Sequence, residues 1–350
     1  MPPEPQAPDR ALARGLWVKW IGGASNQDLA AIEDLAGVYA LAGVHCLDVA
    51  ADPAVAAAAR RGIAWALARG AARPWLMLSL SDGADPHFRK AWFEPGCCPP
   101  ECPRPCQRVC PAWAIDAAGV QNERCYGCGR CLPACPLGLI EERDQQLSPE
   151  AVAPLLAELQ PDAVELHTRI GRVEAFAQRV QQLRASGVVL QRVAVSCGLE
   201  PAAGEREAGM PATPQQLAAE LWQRFGLLRA AGFRPLWQLD GRPMSGDVGA
   251  GTAHAAVNLA LALAPAAPPG PLQLAGGTNA HTLAVLERAR GAGAAVSGVA
   301  FGGVARSLLQ PLLLEAQRRG HGLLTDGELW PRALELARGL VVPWLERQRR

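Results

Sequence analysis

The chain has 350 residues, of which 49% are hydrophobic, and its 34 basic and 33 acidic residues leave a formal net charge of +1. Such a balance lacks the excess positive charge with which proteins bind nucleic acid, so we expect no nucleic-acid partner. The amino terminus has no apolar core typical of a signal peptide, and no stretch of about 18 uncharged apolar residues occurs elsewhere. We therefore expect a cytoplasmic protein with no membrane span.

Short apolar runs alternate with amphipathic segments along most of the chain, which is typical of repeated strand–helix units. The predicted strands are Trp17–Ile21, Val44–Val49, Trp75–Ser79, Ala163–His167, Val188–Ser196, Pro235–Leu239, Pro271–Ala275 and Gly298–Phe301. The predicted helices include Asn26–Ala42, Pro53–Arg69, Arg172–Ala185, Thr213–Ala231, Ala280–Arg290 and Val304–Arg319. Eight such units predict a closed α/β barrel of the (β/α)8 TIM type, although an open doubly wound sheet would produce the same alternation.

The ends of the predicted helices have recognisable capping residues. Polar side chains that can accept a free backbone N–H precede two helices, at Asn26 and Thr213. Glycines that can adopt a left-handed conformation follow the helices, at Gly43, Gly70, Gly187, Gly232, Gly291 and Gly320.

One long segment interrupts the alternation after the third strand, and a loop of that size without its own core would be abnormal. We therefore divide the chain into a flexible amino terminus (1–14), the first part of the barrel (15–81), an inserted module (82–146), the remainder of the barrel (147–320) and a helical C-terminal tail (321–350). The insert has little apolar sequence, so we expect bound metal to supply much of its folding free energy.

Nine of the eleven cysteines lie between Cys97 and Cys135. The run Cys125, Cys128, Cys131 and Cys135, followed by Pro136, matches the bacterial ferredoxin pattern C-x2-C-x2-C-x3-C-P. Closely spaced cysteine pairs also bind zinc, but zinc pairs are usually separated by longer stretches and lack the final Cys-Pro. The run therefore predicts an iron–sulfur cluster of the [4Fe-4S] type rather than zinc.

A second run of cysteines lies upstream, has three-residue spacers and also ends before a proline, which indicates an internal duplication. In two-cluster ferredoxins the last cysteine of each run ligates the other cluster. This crossing rule predicts two sets of four ligands: Cys125, Cys128, Cys131 and Cys110, and Cys98, Cys102, Cys106 and Cys135. The type of the second cluster stays open, because the upstream spacing departs from the ferredoxin pattern and Cys97 offers a competing thiolate.

Paired glycines follow the seventh and eighth predicted strands, at the end of a barrel where phosphate groups often bind. Gly276, Gly277, Gly302 and Gly303 would allow backbone N–H groups to approach a phosphorylated ligand or a flavin. Strand-to-helix turns also tolerate glycine without binding anything, so both interpretations stay open.

Other polar residues lie on or after predicted strands. The run Asp240–Asp247 resembles either a binding loop or a structured turn. Lys19 is either a reactive barrel lysine or a side chain that extends to the strand end, and His167 is either a general base or a structural histidine. No nucleophile elbow, Walker motif or convincing carboxylate pair is present, so we assign no catalytic residue. Cys46 and Cys197 are expected to be buried structural thiols.

Four segments in combination resemble the cyanobacterial LdpA family, the light-dependent period A proteins. They are Gly22–Leu29, Asp48–Val55, the paired cysteine runs and Asp240–Asp247, and the resemblance extends over nearly the whole chain. It implies an iron–sulfur protein that relays light and redox state to the circadian clock, with the circadian input kinase and the Kai proteins as partners. It also implies a redox sensor rather than a metabolic enzyme.

Three functions therefore stay open. The leading hypothesis is a redox sensor whose two clusters exchange electrons with carriers such as a quinone or ferredoxin. The second is a ferredoxin-coupled oxidoreductase that reduces or oxidises a flavin or a phosphorylated ligand at the barrel loops. The third is a module in which the clusters only hold the insert together.

Overall fold

A computed structural model of the chain describes residues 7–199, 212–242, 249–289 and 296–347. Its strands are β1 (Trp17–Gly23), β2 (Cys46–Ala50), β3 (Trp75–Ser81), β4 (Arg89–Trp92), β5 (Ile115–Asp116), β6 (Gly119–Val120), β7 (Glu141–Asp144), β8 (Ala163–His167), β9 (Arg192–Cys197), β10 (Pro235–Asp240), β11 (Leu272–Ala275) and β12 (Val296–Phe301). Its helices are α1 (Pro8–Arg14), α2 (Leu29–Ala42), α3 (Pro53–Leu67), α4 (Pro105–Val109), α5 (Cys131–Ala134), α6 (Pro149–Leu159), α7 (Val173–Ala185), α8 (Pro214–Ala230), α9 (Ala253–Leu263), α10 (Thr282–Arg288), α11 (Gly303–Arg318) and α12 (Leu329–Leu345).

Within the described residues, eight parallel strands close into a barrel in the order β1-β12-β11-β10-β9-β8-β3-β2. Each overlaps one of the eight predicted strands, so the predicted barrel is confirmed and the open sheet is excluded. The closure follows from pairing between the first and last strands, where Trp17 lies beside Gly298 and Trp20 beside Phe301. Gly298 is required at this contact, because a Cβ there would lie 2.2 Å from the carbonyl oxygen of Trp17.

The barrel interior is divided into an apolar layer and a polar layer. Near the amino ends of the strands, Trp17, Met77 and Leu236 form a small core together with Leu12 of α1. Two residues further along β1, on the same face of the strand, Lys19 contacts Asp48 and Glu165 instead. The polar layer therefore lies between the apolar core and the carboxyl ends of the strands, where barrel enzymes have their sites.

The predicted helix ends are largely confirmed. Thr213 caps α8 through a reciprocal hydrogen-bond pair with Gln216, and Gly43, Gly70, Gly187, Gly232 and Gly320 all have positive φ. Gly291 lies outside the described residues. The predicted cap of α2 is wrong, because Asp28 accepts the N–H of Ala31 at 3.1 Å whereas Asn26 binds the carbonyl of Gly22.

The segment that precedes the first strand packs more closely than predicted. Residues 8–14, where a flexible segment was predicted, form α1, whose Asp9 makes ion pairs with Arg192 and Arg234. Among the described residues, no helix is both long enough and apolar enough to cross a membrane.

The inserted module follows β3 and has its own small core. Strands β4 and β7 pair antiparallel and form its stem, and β5 and β6 form a hairpin. The core contains Phe93, Ile115 and Ile140 together with several cysteines. Because apolar residues are few, the cysteines occupy positions that larger side chains fill in an ordinary domain.

Candidate iron–sulfur centre and barrel mouth

The cysteines of the module come together in two groups. Burial, together with the nearby thiols of Cys128, Cys125 and Cys110, raises the pKa of Cys131 to about 12. Burial also raises the pKa of Cys128, and Cys110 and Cys125 add to this shift. Such interactions require the sulfur atoms to lie near one another. This group has the same members as the first predicted ligand set.

The second group contains the remaining predicted ligands. Burial and the neighbouring thiols of Cys102 and Cys135 raise the pKa of Cys98. The pKa of Cys106 is also raised, first by burial and then by Cys135 and Cys102. Cys135, at the end of the downstream run, is thus grouped with the upstream cysteines, as the crossing rule predicts. Cys97 is exposed.

Backbone donors surround the cysteine sulfur atoms. The N–H of Ala91 lies 3.3 Å from Cys125 Sγ, and that of Ala114 lies 3.2 Å from Cys110 Sγ. At Cys135, burial opposes ionisation, but the backbone N–H groups of residues 137–140 outweigh it and lower the pKa. Anionic sulfur atoms of a cluster and its thiolates accept such hydrogen bonds. The residues therefore fit iron–sulfur clusters at both groups.

The turn between Cys125 and Cys128 requires glycine. Gly127 has φ +71°, and a Cβ at this position would lie only 2.0 Å from the carbonyl oxygen of Arg89 on β4. The cysteine run is therefore packed directly against the stem of the module, and no side chain fits between them.

A cavity lies at the carboxyl ends of the barrel strands and is shared with the module. The four predicted glycines line it on the barrel side, and the module contributes Tyr126, Cys128 and Arg130. The structure thus brings Gly276, Gly277, Gly302 and Gly303 together beside one predicted cluster ligand. Gly276 and Gly277 also serve the turn itself, since both have positive φ and a Cβ at Gly276 would lie 2.5 Å from the carbonyl oxygen of Arg242.

A chain of charged groups begins at Lys19 below the cavity and reaches the cavity lining at Glu165. The ammonium group of Lys19 is fully buried and contacts Asp48 and Glu165. Burial lowers its pKa, but the two carboxylates outweigh burial and raise it. Lys19 is therefore a charged structural partner and neither extends to the strand end nor has the neutral amine that a Schiff base requires.

The chain continues to the cavity wall. Glu165 Oε1 lies 3.0 Å from His167 Nε2, and His167 Nδ1 lies 3.9 Å from Asp85, which accepts a hydrogen bond at 2.7 Å from His87. Burial opposes protonation of His167, but Glu165 and then Asp85 raise its pKa to about 9. His167 is therefore a cation at neutral pH and not a general base.

The remaining predicted residues have simpler roles. Burial raises the pKa of Asp240 to about 6, with Glu165 adding to the shift, and Asp240 accepts a hydrogen bond from Ser196. Asp240 and Arg242 line the cavity, whereas residues 243–247 of the predicted loop lie outside the described residues. Cys46 and Cys197 are buried, as expected for structural thiols.

Sequence reasoning missed several residues of the cavity, above all Arg306, His87 and Tyr126. Arg306 follows the second glycine pair by three residues, a spacing that places it on the first turn of α11. Its buried guanidinium lies 3.7 Å from the ring centre of Tyr126, and Nη2 donates to the carbonyl of Gly22 at 2.7 Å. Only the fold brings these residues together.

Comparison with known proteins supports an iron–sulfur-binding module. Residues 98–146 match the family model described as the LdpA Fe-S cluster-binding domain, and residues 155–343 match that of the light dependent period A C-terminal domain. The protein named "Light dependent period A" from Synechococcus elongatus is 48% identical over 341 residues, covering 96% of this chain and 93% of that protein.

Two solved structures match this chain with low sequence identity and TM-scores below 0.5. Tryptophan synthase from Mycobacterium tuberculosis is 12% identical with a TM-score of 0.46, covering 97% of this chain and 96% of that chain. The (S)-3-O-geranylgeranylglyceryl phosphate synthase from Thermoplasma acidophilum is 10% identical with a TM-score of 0.39, covering 95% of this chain and 98% of that chain.

Proposed function

Because the chain belongs to the light dependent period A family and contains the iron–sulfur-binding domain of that family, we propose that it is a cytoplasmic redox sensor of the circadian clock. Two clusters, ligated by the two groups of four cysteines, would exchange electrons with a cellular carrier such as a quinone or ferredoxin. The circadian input kinase and the Kai proteins are its proposed partners. The observation that supports this function best is the grouping of Cys135 with the upstream cysteines and of Cys110 with the downstream ones.

A sensor must pass a change in its clusters to a surface that partners can contact. Polar contacts between the module and the barrel would transmit such a change. Lys90 of β4 donates to the side-chain oxygen of Gln27 at 2.5 Å and to the carbonyl of Asn122 at 2.6 Å. The backbone N–H of Gln27 donates in turn to the carbonyl of Glu123 at 2.9 Å. Bound clusters supply one-electron transfer, and these contacts connect the cysteine run to the first barrel loop.

The experiment that tests this function is anaerobic purification followed by iron and sulfide analysis and an EPR-monitored redox titration. We expect roughly eight irons per chain and reversible signals, as two [4Fe-4S] clusters require. Cys128→Ser should remove or convert one cluster and leave the other. The matched control is Cys97→Ser, which changes an exposed cysteine of the same module and should keep the full iron content.

Two outcomes would contradict the proposal. An unchanged iron and sulfide content in Cys128→Ser would refute the ligand assignment, and a loss of iron in Cys97→Ser would make Cys97 a ligand instead. Stable clusters without any reversible signal near cellular potentials would favour the third function, in which the clusters only hold the module together.

The second candidate function is an oxidoreductase in which the clusters exchange electrons with a flavin or a phosphorylated ligand. One observation favours it: the cavity above Gly276 and Gly302 is also lined by Cys128, so a bound molecule would lie beside a cluster ligand. Flavin fluorescence of molecules released from the purified chain tests it. A bound flavin whose reduction follows that of the clusters would favour the oxidoreductase over the redox sensor. The absence of flavin would favour the redox sensor.

A further inference from the structure

We propose that the mouth of the barrel binds a small organic anion, holding its phosphate or carboxylate group with Arg306 and the amino end of α11 beside the Cys128 cluster site. The proposal that an anion binds here rests only on the geometry of the cavity. The proposal that the anion affects the cluster rests on the proposed redox function.

The first argument is the unsatisfied guanidinium of Arg306. This side chain is 6% exposed and lines the cavity, yet its Nε and Nη1 have no hydrogen-bond partner among the described residues. Arg130, on the module side of the same cavity, likewise has an unpartnered Nε. Buried donors of a charged group are costly to leave unpaired, and the oxygen atoms of an anion are the partners that an arginine fork fits best.

The second argument is that Arg306 is already oriented for binding. Its Nη2 is held by the carbonyl of Gly22, and its plane lies over the ring of Tyr126 at 3.7 Å. Both contacts restrict the guanidinium before a ligand arrives, which reduces the entropy lost on binding. The arginine therefore differs from the exposed Arg318 at the other end of the same helix, which makes an ion pair with Glu315.

The third argument is the amino end of α11. This helix has 16 residues and begins at Gly303, and among the described residues no side chain caps Gly302. Free N–H groups and the positive end of the helix dipole therefore add to the charge of Arg306 at one side of the cavity. Together they form a site with two kinds of donor for one oxyanion.

The floor of the cavity determines where the charged end of the ligand lies. At the floor His167 is already paired with Glu165, and Asp240 adds a negative charge there, so the charged end of the ligand belongs at the rim. Gln238 and Ser196 also line this part of the cavity, but they already donate hydrogen bonds to Glu165 and Asp240. The ligand is therefore a small molecule whose phosphate or carboxylate group lies at the rim of the cavity.

The position of Cys128 connects this site to the cluster. An anion beside a cluster disfavours the addition of an electron, so the bound ligand should lower the reduction potential. By linkage, reduction of the cluster should weaken ligand binding by the same factor. A tenfold weaker binding to the reduced protein corresponds to a shift of about 59 mV for a one-electron cluster.

Isothermal titration of the full, cluster-loaded and oxidised chain under anaerobic conditions tests the site, with inorganic phosphate and acetate as separate probes. Binding of phosphate alone identifies a phosphorylated ligand, and binding of acetate alone identifies a carboxylate. Binding of neither probe would overturn the proposal.

Two pairs of variants locate the site. Ser307 is exposed at the rim of the cavity, so Ser307→Asp should fold normally and weaken binding at least about tenfold by charge repulsion, whereas Ser307→Asn should not. Arg306→Gln should lose binding, whereas Arg318→Gln removes the same charge far from the mouth and should keep it. Equal binding by all four variants would place the anion elsewhere and refute the site.

The EPR titration is then repeated with and without the probe that binds. A lower potential with the probe present supports the coupling, and an unchanged potential would refute the coupling while the site stands. A chain without reversible EPR signals would refute the redox function. The binding experiment would still show whether the barrel mouth binds an anion.

Discussion

Replacing Lys19 with methionine tests whether the polar layer of the barrel is held together by charge. Lys19 is fully buried, its Nζ lies 2.7 Å from Asp48 Oδ2, and it also contacts Glu165. Methionine has a similar volume, so the main effect is the loss of the cation. Glu165 would keep His167 at 3.0 Å, whereas Asp48, whose pKa burial and then Glu165 already raise to about 7, would keep the hydroxyl of Ser79 at 2.7 Å but lose its cation. Breaking a buried ion pair on one side costs about 3–5 kcal/mol, and we expect a loss of this size.

The assay is urea unfolding at pH 7, followed by tryptophan fluorescence, since Trp17 lies in the barrel interior. The double variant Lys19→Met/Asp48→Asn removes the orphaned carboxylate and should recover more than about 1 kcal/mol relative to Lys19→Met alone. Arg61→Met breaks the exposed pair with Glu33 and serves as the control, with an expected loss below about 1 kcal/mol. A loss below about 1 kcal/mol in Lys19→Met, or a double variant less stable than the single one, would refute the reasoning.

Three further predictions concern other parts of the molecule. Because the pKa of His167 is raised from 6.5 to about 9, its stabilising charge is fully present below pH 6.5 and is lost as the pH rises through 9. The free energy of unfolding from urea titrations should therefore fall over this range by about 3 kcal/mol, and His167→Gln should flatten its dependence on pH. Thr213→Ala removes the cap of α8 and should cost about 1 kcal/mol in urea unfolding, whereas Thr213→Ser should retain the cap. Gly127→Ala should lower the iron content because its Cβ would meet the carbonyl of Arg89, whereas Gly138→Ala, which also has positive φ but open space, should keep the iron; equal iron in both would contradict this account.

The barrel could be predicted from the sequence because its signals are local. Each strand is a short apolar run, and helices end at glycines such as Gly43 and Gly232, whose left-handed conformation other residues rarely adopt. The predicted start of α2 was wrong for an equally local reason: Asn26 and Asp28 are both good capping residues, and only the turn geometry decides between them.

The candidate site could be predicted only in part. The cysteine runs have a spacing that itself indicates the ligands, so sequence alone suggests the two sets. Arg306, Tyr126 and His87 have no such pattern, since they lie far apart in the chain and meet only because the module folds back over the barrel mouth. Lys19 was ambiguous because its partners, Asp48 and Glu165, are on other strands and no local signal connects them.

The segment Gly22–Leu29 illustrates how a loop without catalytic residues can connect two parts of the molecule. Gly22 provides the carbonyl that holds Arg306, Gln27 receives Lys90 of the module, and Asp28 both caps α2 and lies 3.8 Å from Arg124. A single loop thus positions the cavity arginine and attaches the cysteine module. A displacement of the module that accompanied a change in cluster charge would act on this loop first, and through Gly22 it would reach Arg306. The same loop therefore offers a second route, beside the direct contact between Tyr126 and Arg306, by which the state of the clusters can alter what the barrel mouth binds.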